Sequence, residues 1–173
     1  MRSFAFDTPR LSCLPLTHVD SDEFIKLVEE ASFGQQRSYF SNPYKLLDRV
    51  HHSGYVAAGA FLKDSRISMD GCPTLVGCIC GVPLDRYLFL DFIIFDEYRQ
   101  QGFGSELLNG FMWNCHRENR IRGFCAQVEE SNLATISFLE SLEFSVYPGG
   151  DFTVIVSNTA QSFHTYHARF KEV

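Results

Sequence analysis

Asp91-Phe-Ile-Ile-Phe-Asp-Glu-Tyr-Arg-Gln-Gln-Gly-Phe-Gly-Ser-Glu-Leu-Leu108 is the stretch that decides the fold. In it an apolar run passes through a turn with Gly102 and Gly104 into an amphipathic segment. Glycines let a ligand approach the backbone closely, and the first turn of a helix carries unpaired N–H donors and the positive end of the helix dipole. We interpret the order as strand, anion-binding loop and helix, which predicts a phosphate site at the start of the helix.

The helix is predicted from its apolar spacing. Phe103, Leu107, Phe111 and Cys115 recur every four residues, so one face would pack on a sheet. The glycine pattern alone is short enough to recur by chance. An ordinary strand-to-helix turn therefore stays open as an alternative at this point.

Two motifs together resemble a known family. The loop Arg99-Gln-Gln-Gly102-Phe-Gly104 is similar to the Q/R-x-x-G-x-G/A acyl-CoA loop of the GNAT superfamily of N-acetyltransferases. The segment 128–144 resembles the second signature of that family, in which a strand ends, Asn132 opens a helix and an aromatic residue, Phe144, starts the next strand. The resemblance covers about 75–156 well, and the N-terminal third only in its order of elements.

The resemblance implies an α/β (α+β) fold. Its core is a GNAT-like central, mixed, mostly antiparallel twisted sheet of six to seven strands, flanked by about four helices. We expect one acyl-CoA N-acyltransferase domain over 1–173, with a core at about 11–157 and a tail, 158–173, that resists assignment.

Local patterns predict the individual elements. Helix signals follow Asp20 and Asn42-Pro43, and the second helix should end near Gly54. Strands are predicted at 11–16, 55–62, 74–82, 87–95, 122–128, 143–148 and 152–157, and helices at 103–118 and 132–142.

Composition and net charge indicate which kinds of molecule the protein could bind. The chain has 173 residues, 45% of them hydrophobic, which is typical of one globular domain. Its net charge of −6 argues against a nucleic acid or an anionic membrane as the main partner and favours a cationic acceptor. No apolar run reaches the roughly 20 residues of a membrane helix. The N-terminus lacks the features of a secretory signal, so we expect a cytoplasmic protein. We expect it to be a monomer or a homodimer.

The six cysteines predict buried thiols. They form no C-x-x-C pair, and the spacing of Cys78 and Cys80 places both on one face of a strand. We therefore expect neither a metal cofactor nor disulfides.

The resemblance assigns the cofactor, acetyl-CoA, to the central motifs. The N–H groups of about Gln100 to Ser105 would hold the pyrophosphate, with added charge from Arg99, and the strand edge at Phe92 to Ile94 would bind the pantetheine arm. A backbone N–H at Ile93 or Ile94, freed by a bulge, would stabilise the oxyanion. Asn132 would contact the cofactor or cap its helix. The predicted cofactor residues are Phe92, Ile93, Ile94, Arg99, Gln100, Gln101, Gly102, Phe103, Gly104, Ser105 and Asn132.

Three catalytic residues are predicted. Asp91 is the only charge in an apolar strand, and burial would raise its pKa toward the range of a general base for the amine, although a structural carboxylate is an equal alternative. Glu129 and Glu130, at the end of the next strand, are the second choice for the base, with solvated loop acids as the alternative. Many family members place a proton-donating Tyr seven residues after the motif Asn, where this chain has Leu139. Tyr147, Ser137 or a water is the expected substitute donor, and Tyr147 is the better donor only if its strand points it inward.

The leading hypothesis is an acetyl-CoA-dependent N-acetyltransferase acting on a primary amine of a small molecule or peptide. A catalytically weak acyl-CoA-binding module is the alternative, because Leu139 replaces the tyrosine. A nucleotide-binding role for the loop is disfavoured, since the loop has no Lys-Ser/Thr for a triphosphate.

Overall fold

A computed structural model describes residues 4–16, 22, 25, 48, 55–63, 74–119, 121–156 and 159–169. These residues form one sheet of nine strands and two α-helices. The strands are β1 (Phe6–Asp7), β2 (Leu11–Pro15), β3 (Val56–Leu62), β4 (Leu75–Leu84), β5 (Tyr87–Ile94), β6 (Gly123–Glu129), β7 (Ser145–Val146), β8 (Phe152–Val156) and β9 (Thr159–Arg169), and the helices are α1 (Phe103–Asn119) and α2 (Leu133–Ser141).

The sheet is mixed and mostly antiparallel, as predicted. Its order is β1-β2-β3-β4-β5-β6-β9-β7, with β8 paired to β9, and β5 with β6 is its parallel pair. The predicted count of six to seven strands is too low. The two helices predicted after Asp20 and Asn42 fall outside the described residues except at 22, 25 and 48.

Both chain ends add strands to the expected sheet. At the N-terminus, Thr8 accepts the Leu11 N–H through its hydroxyl, and this turn divides the first strand into β1 and β2. At the C-terminus, the unassigned tail forms β9, which lies between β6 and β7. The predicted strand 143–148 shortens to β7 because turns enclose it, with positive φ at Glu143 and Gly149.

The two faces of the sheet carry two apolar clusters. The first, between the sheet and the two helices, is centred on the fully buried Phe111, Phe124 and Leu139. The second, on the opposite face, includes Ile93 and Phe95. β5 therefore alternates between two cores, as expected of a central strand covered on both sides.

Five of the cysteines are described, and all five are buried free thiols, as predicted. Burial raises the pKa of Cys13 to about 12, so this thiol is protonated and unreactive at neutral pH. Cys72 lies outside the described residues. Within the described ranges, no helix has the length and apolar character that crossing a membrane requires.

Candidate functional site

The candidate site is an opening between the two parallel strands. β5 and β6 pair from Tyr87↔Gly123 as far as Leu90↔Ala126. Beyond that point β5 stays paired with β4 up to Ile94, while β6 stays paired with β9 up to Glu129. The two strand ends therefore diverge, and a gap opens at Asp91.

The register shows which backbone groups face the gap. The Phe95 N–H donates to the Val76 carbonyl oxygen, so odd-numbered residues of β5 bond to β4. Phe92 and Ile94 then turn their N–H groups toward the gap. Of the two predicted oxyanion positions, Ile94 faces the opening and Ile93 faces β4.

The predicted bulge is not what frees this N–H. The register between β4 and β5 is continuous from Tyr87 to Ile94. The divergence of β6 opens the edge instead.

The glycine loop adjoins the gap. A single 3-10 turn at Asp96–Tyr98 follows β5, Gln100 and Gly102 adopt φ values of 59° and 81°, and α1 begins at Phe103. The Glu106 N–H donates to the Gly102 carbonyl oxygen, so the N–H groups of residues 103–105 precede the first intrahelical bond. This left-handed turn into a helix start is a backbone cradle that suits phosphate oxygens.

The side chains of Arg99 and Gln101 close the loop on itself. Arg99 donates from Nε to the Ile94 carbonyl oxygen at 2.9 Å, and its Nη2 lies 2.8 Å from Asp96 Oδ1. Gln101 donates from Nε2 to the Glu97 carbonyl oxygen. The charge predicted for Arg99 is thus partly balanced by Asp96.

Aromatic packing holds the loop on the sheet. The Phe92 and Phe138 ring centroids are 5.4 Å apart, and a Cβ on Gly104 would lie 3.4 Å from Phe138. Phe103 is buried and contacts Tyr98 edge-to-face, and Ser105 is half-buried behind them. The start of α1 therefore sits directly on the end of β5.

Asn132 caps α2. Its Oδ1 accepts the Thr135 N–H at 3.1 Å, which is the structural role considered for it. The cap leaves the side-chain NH₂ group available, so a cofactor contact stays a prediction.

The three predicted catalytic residues lie on one face of the sheet. Asp91 shares its face of β5 with Ile93, and the pairing of Phe89 with Cys125 extends that face to Glu129 at the end of β6. Both carboxylate side chains are half-buried, and they belong to the two strands that border the gap. Their catalytic roles stay predictions.

Tyr147 lies on the same face but farther from the gap. Its N–H donates to the Thr165 carbonyl oxygen, and its ring contacts the His167 ring at 5.3 Å. Because β9 separates β7 from β6, and strands are about 4.8 Å apart, Tyr147 starts about 10 Å from β6. The register thus disfavours direct proton donation into the gap.

Leu139 and Glu143, the departures from the family pattern, have structural consequences. Leu139 is fully buried in the core under α2. Glu143 has φ 63°, its N–H donates to Glu140, and the Phe144 N–H donates to Leu139. These bonds are a Schellman motif, which normally places glycine at this left-handed position.

Two features were not predicted from sequence. Arg10 donates to the Gln101 carbonyl oxygen at 3.0 Å and to Glu106 at 2.6 Å, bringing the N-terminal turn against the glycine loop. His167 has a buried Nδ1 without a hydrogen-bond partner among the described residues. Neither residue belongs to a local motif, so only the register of distant strands reveals them.

The sequence model described as the acetyltransferase (GNAT) family matches residues 19–144. No curated protein sequence matches the chain. The chain is similar in fold to solved structures of low sequence identity.

A mutant spermidine N-acetyltransferase from Vibrio cholerae is 11% identical, with 92% of this chain and 94% of that chain covered and a TM-score of 0.70. The ribosomal-protein-S5-alanine acetyltransferase from Vibrio fischeri is 11% identical, with 96% of each chain covered and a TM-score of 0.68. The microcin C7 self-immunity acetyltransferase, in complex with acetyl-CoA and AMP, is 10% identical, with 94% and 93% covered and a TM-score of 0.69. At these sequence identities the similarity shows that the fold is shared, and nothing beyond the fold.

Proposed function

Because the chain belongs to the GNAT family of acetyltransferases, we propose that it transfers the acetyl group of acetyl-CoA to a primary amine of a small molecule or peptide. The observation that carries the proposal is the gap between β5 and β6. It opens beside the glycine loop on one side and beside Asp91 on the other.

The fit to acetyl-CoA rests on backbone geometry. The left-handed residues Gln100 and Gly102 and the N–H groups of residues 103–105 suit the pyrophosphate. The N–H groups of Phe92 and Ile94 suit the amide-rich pantetheine arm, and the Ile94 N–H suits the thioester oxygen. Acetyl-CoA, when bound, supplies the activated acetyl group.

A side chain of this protein, together with water, would accept and donate the protons that the reaction transfers. An alkylammonium has a pKa near 10, so the attacking amine must lose a proton. Asp91, on the face opposite α1 and at the mouth of the gap, is the proposed base, acting directly or through water. The amine nitrogen would bond to the carbonyl carbon and the C–S bond would break. The second proton of the nitrogen would pass through water to the departing thiolate, whose thiol has a pKa near 8.5.

The acceptor would approach from the face that carries Asp91 and Glu129. The net charge of −6 and these two carboxylates favour an acceptor that is cationic before it reacts. Similar folds include enzymes named for spermidine and for a ribosomal protein, so polyamines and peptide amines are the first acceptors to test.

The test is release of CoA thiol from acetyl-CoA with polyamines, amino acids, aminoglycosides and short basic peptides as acceptors. We expect acceptor-dependent turnover and mass-spectrometric acetylation of the amine. Hydrolysis of acetyl-CoA at the same rate with and without every acceptor would contradict the proposal.

One observation favours a second function, that of an acyl-CoA-binding module with weak catalysis. Leu139 is apolar and fully buried, and Tyr147 follows β7, which β9 separates from β6, so neither of these two positions suits a proton donor at the gap. Saturable CoA binding without acceptor turnover would favour this function. Competition by ATP or NAD in a thermal-shift assay tests the nucleotide-binding alternative, because a ligand of the native state raises its melting temperature.

A further inference from the structure

The N-terminal turn at residues 8–10 lies against the glycine loop. The Arg10 guanidinium carbon is 4.2 Å from the centre of the Phe103 ring. Its Nη1 donates to the Gln101 carbonyl oxygen at 3.0 Å, and its Nη2 is 3.3 Å from the point where a Cβ on Gly102 would lie. Arg10 therefore contacts three consecutive loop residues.

Glu106 holds this arginine in place. Its carboxylate accepts the Arg10 backbone N–H at 2.7 Å, Arg10 Nε at 2.6 Å and the Thr8 hydroxyl at 2.5 Å. Burial by itself raises the pKa of Glu106, but these hydrogen bonds outweigh burial and lower the pKa. Glu106 is therefore ionised at neutral pH and fixes the guanidinium in one orientation.

The guanidinium keeps donors for a ligand. Of its five N–H groups, the described residues engage the one on Nε and one on Nη1, which leaves three. The Arg10 side chain is 47% exposed. A phosphate resting on the helix start would meet these donors at the edge of the loop.

Two other cations near the loop are placed differently. Arg99 binds the carbonyl oxygen at the end of β5 and pairs with Asp96. Lys63 donates to the Thr8 carbonyl oxygen and lies 3.6 Å from Asp7, on the N-terminal turn itself. Arg10 alone of these three touches Gly102 and Phe103.

We propose that Arg10 is a cofactor-binding residue that contacts a phosphate group of CoA, so that the N-terminal turn forms one wall of the cofactor site. The proposal rests on the proposed function, which supplies CoA as the ligand. Charge-assisted, bidentate arginine contacts are the ones that suit phosphate oxygens best.

The test is isothermal titration of the full chain with CoA, 3′-dephospho-CoA and pantetheine. Arg10→Met keeps the apolar stem over Phe103 and removes the donors, and we expect CoA to bind about 10-fold more weakly. Pantetheine, which has no phosphate, should bind equally to both proteins. A loss that persists with dephospho-CoA assigns the contact to the pyrophosphate, and a loss that disappears assigns it to the 3′-phosphate; both results uphold the proposal.

Lys63→Met is the matched control, because it removes a positive charge that contacts the same turn but not the loop. An equal loss of CoA affinity in Lys63→Met, or an equal loss of pantetheine affinity in Arg10→Met, would overturn the proposal.

If Arg10→Met does not fold, Arg10→Lys replaces it. This variant keeps the charge but not the bidentate fork, and unchanged CoA affinity would overturn the proposal. No CoA binding by the wild type would overturn the proposed function as well, whereas wild-type binding with an unaffected Arg10→Met overturns this inference alone.

Discussion

The cofactor side and the acceptor side of the gap are built in different ways. On the proposed cofactor side, the backbone of one continuous stretch, from the end of β5 through the loop into α1, would provide the binding groups. On the acceptor side, side chains from β5, β6, β7 and β9 share one face because of strand register. The difference teaches that CoA binding should depend on backbone conformation, while acceptor chemistry should depend on a few carboxylate and aromatic side chains.

The largest expected effect is on the acceptor side. Asp91→Asn keeps the shape of the side chain but removes the base, so kcat/KM for the amine should fall about 10²- to 10⁴-fold. The Kd of CoA should not change, because the carboxylate lies on the face opposite α1. Steady-state kinetics and calorimetry on the same preparation measure both quantities.

Glu129→Gln is the matched variant for Asp91→Asn, since Glu129 borders the gap from β6. We expect Glu129→Gln to lower kcat/KM for the amine less than Asp91→Asn does. The reverse order of losses would identify Glu129 as the base, and a parallel loss of CoA affinity in either variant would break the separation of the two sides.

The next effect is on the cofactor side. Gly102 and Gly149 have similar φ values of 81° and 77°, so alanine strains the backbone at either position by roughly 1–2 kcal/mol. Only Gly102→Ala alters the loop, and it should weaken CoA binding about 10-fold or more by displacing N–H donors. The test is to measure the Kd of CoA by calorimetry and the melting temperature for Gly102→Ala and Gly149→Ala.

Gly149→Ala is informative because a Cβ there would meet nothing within 4 Å, in a type II turn closed by the Gly150 N–H to the Tyr147 carbonyl oxygen. It should lower the melting temperature without changing the Kd of CoA. Equal Kd values for the two variants would mean that the conformation of Gly102 is not required for CoA binding.

The same contrast explains what sequence could predict. The loop and α1 follow from local rules, because Gly102, Gly104 and the four-residue apolar spacing lie within one stretch. The strand β9 does not, since its polar residues, such as His164 and Thr165, become strand residues only when β6 and β7 pair on either side. The position of Tyr147 depended on that pairing and stayed open for the same reason.

Contacts between residues far apart in sequence are a second reason why parts of the site could not be predicted from sequence. Arg10 and Glu106 are 96 residues apart in sequence and meet because β1 and β2 lie beside α1. No periodicity or spacing encodes such a pair. The carboxylate Asp91 was found because a charge in an apolar strand is conspicuous by itself.

A smaller effect is expected outside both sides, at the end of α2. Glu143 occupies the left-handed position of a Schellman motif, so Glu143→Gly should relieve strain and stabilise the fold by about 1 kcal/mol, or about 2–4 °C in melting temperature. Neither kcat nor the Kd of CoA should change. Glu140→Gly, within α2, should destabilise by about 1 kcal/mol instead, and stabilisation by both substitutions would contradict the assignment of strain to position 143.

The smallest effect is a pH dependence of stability at His164, whose pairing with Val128 places it on the helix face of the sheet, opposite Asp91. His164 Nδ1 lies 3.0 Å from Asp151 Oδ1, and this hydrogen bond, with the nearby charges of Asp151 and Glu130, raises the pKa of His164 above its ordinary value. A pKa raised by folding stabilises the native state below the unfolded pKa of about 6.5, and that contribution is lost as pH rises through the folded value. The melting temperature of wild type relative to Asp151→Asn should therefore be highest below the unfolded pKa of about 6.5, and the difference should shrink as the pH rises above it. Because both groups are on the surface, about 0.5 M salt should reduce the difference. A difference that is constant with pH would show that Asp151 acts only through the turn before β8 and not through the charge on His164.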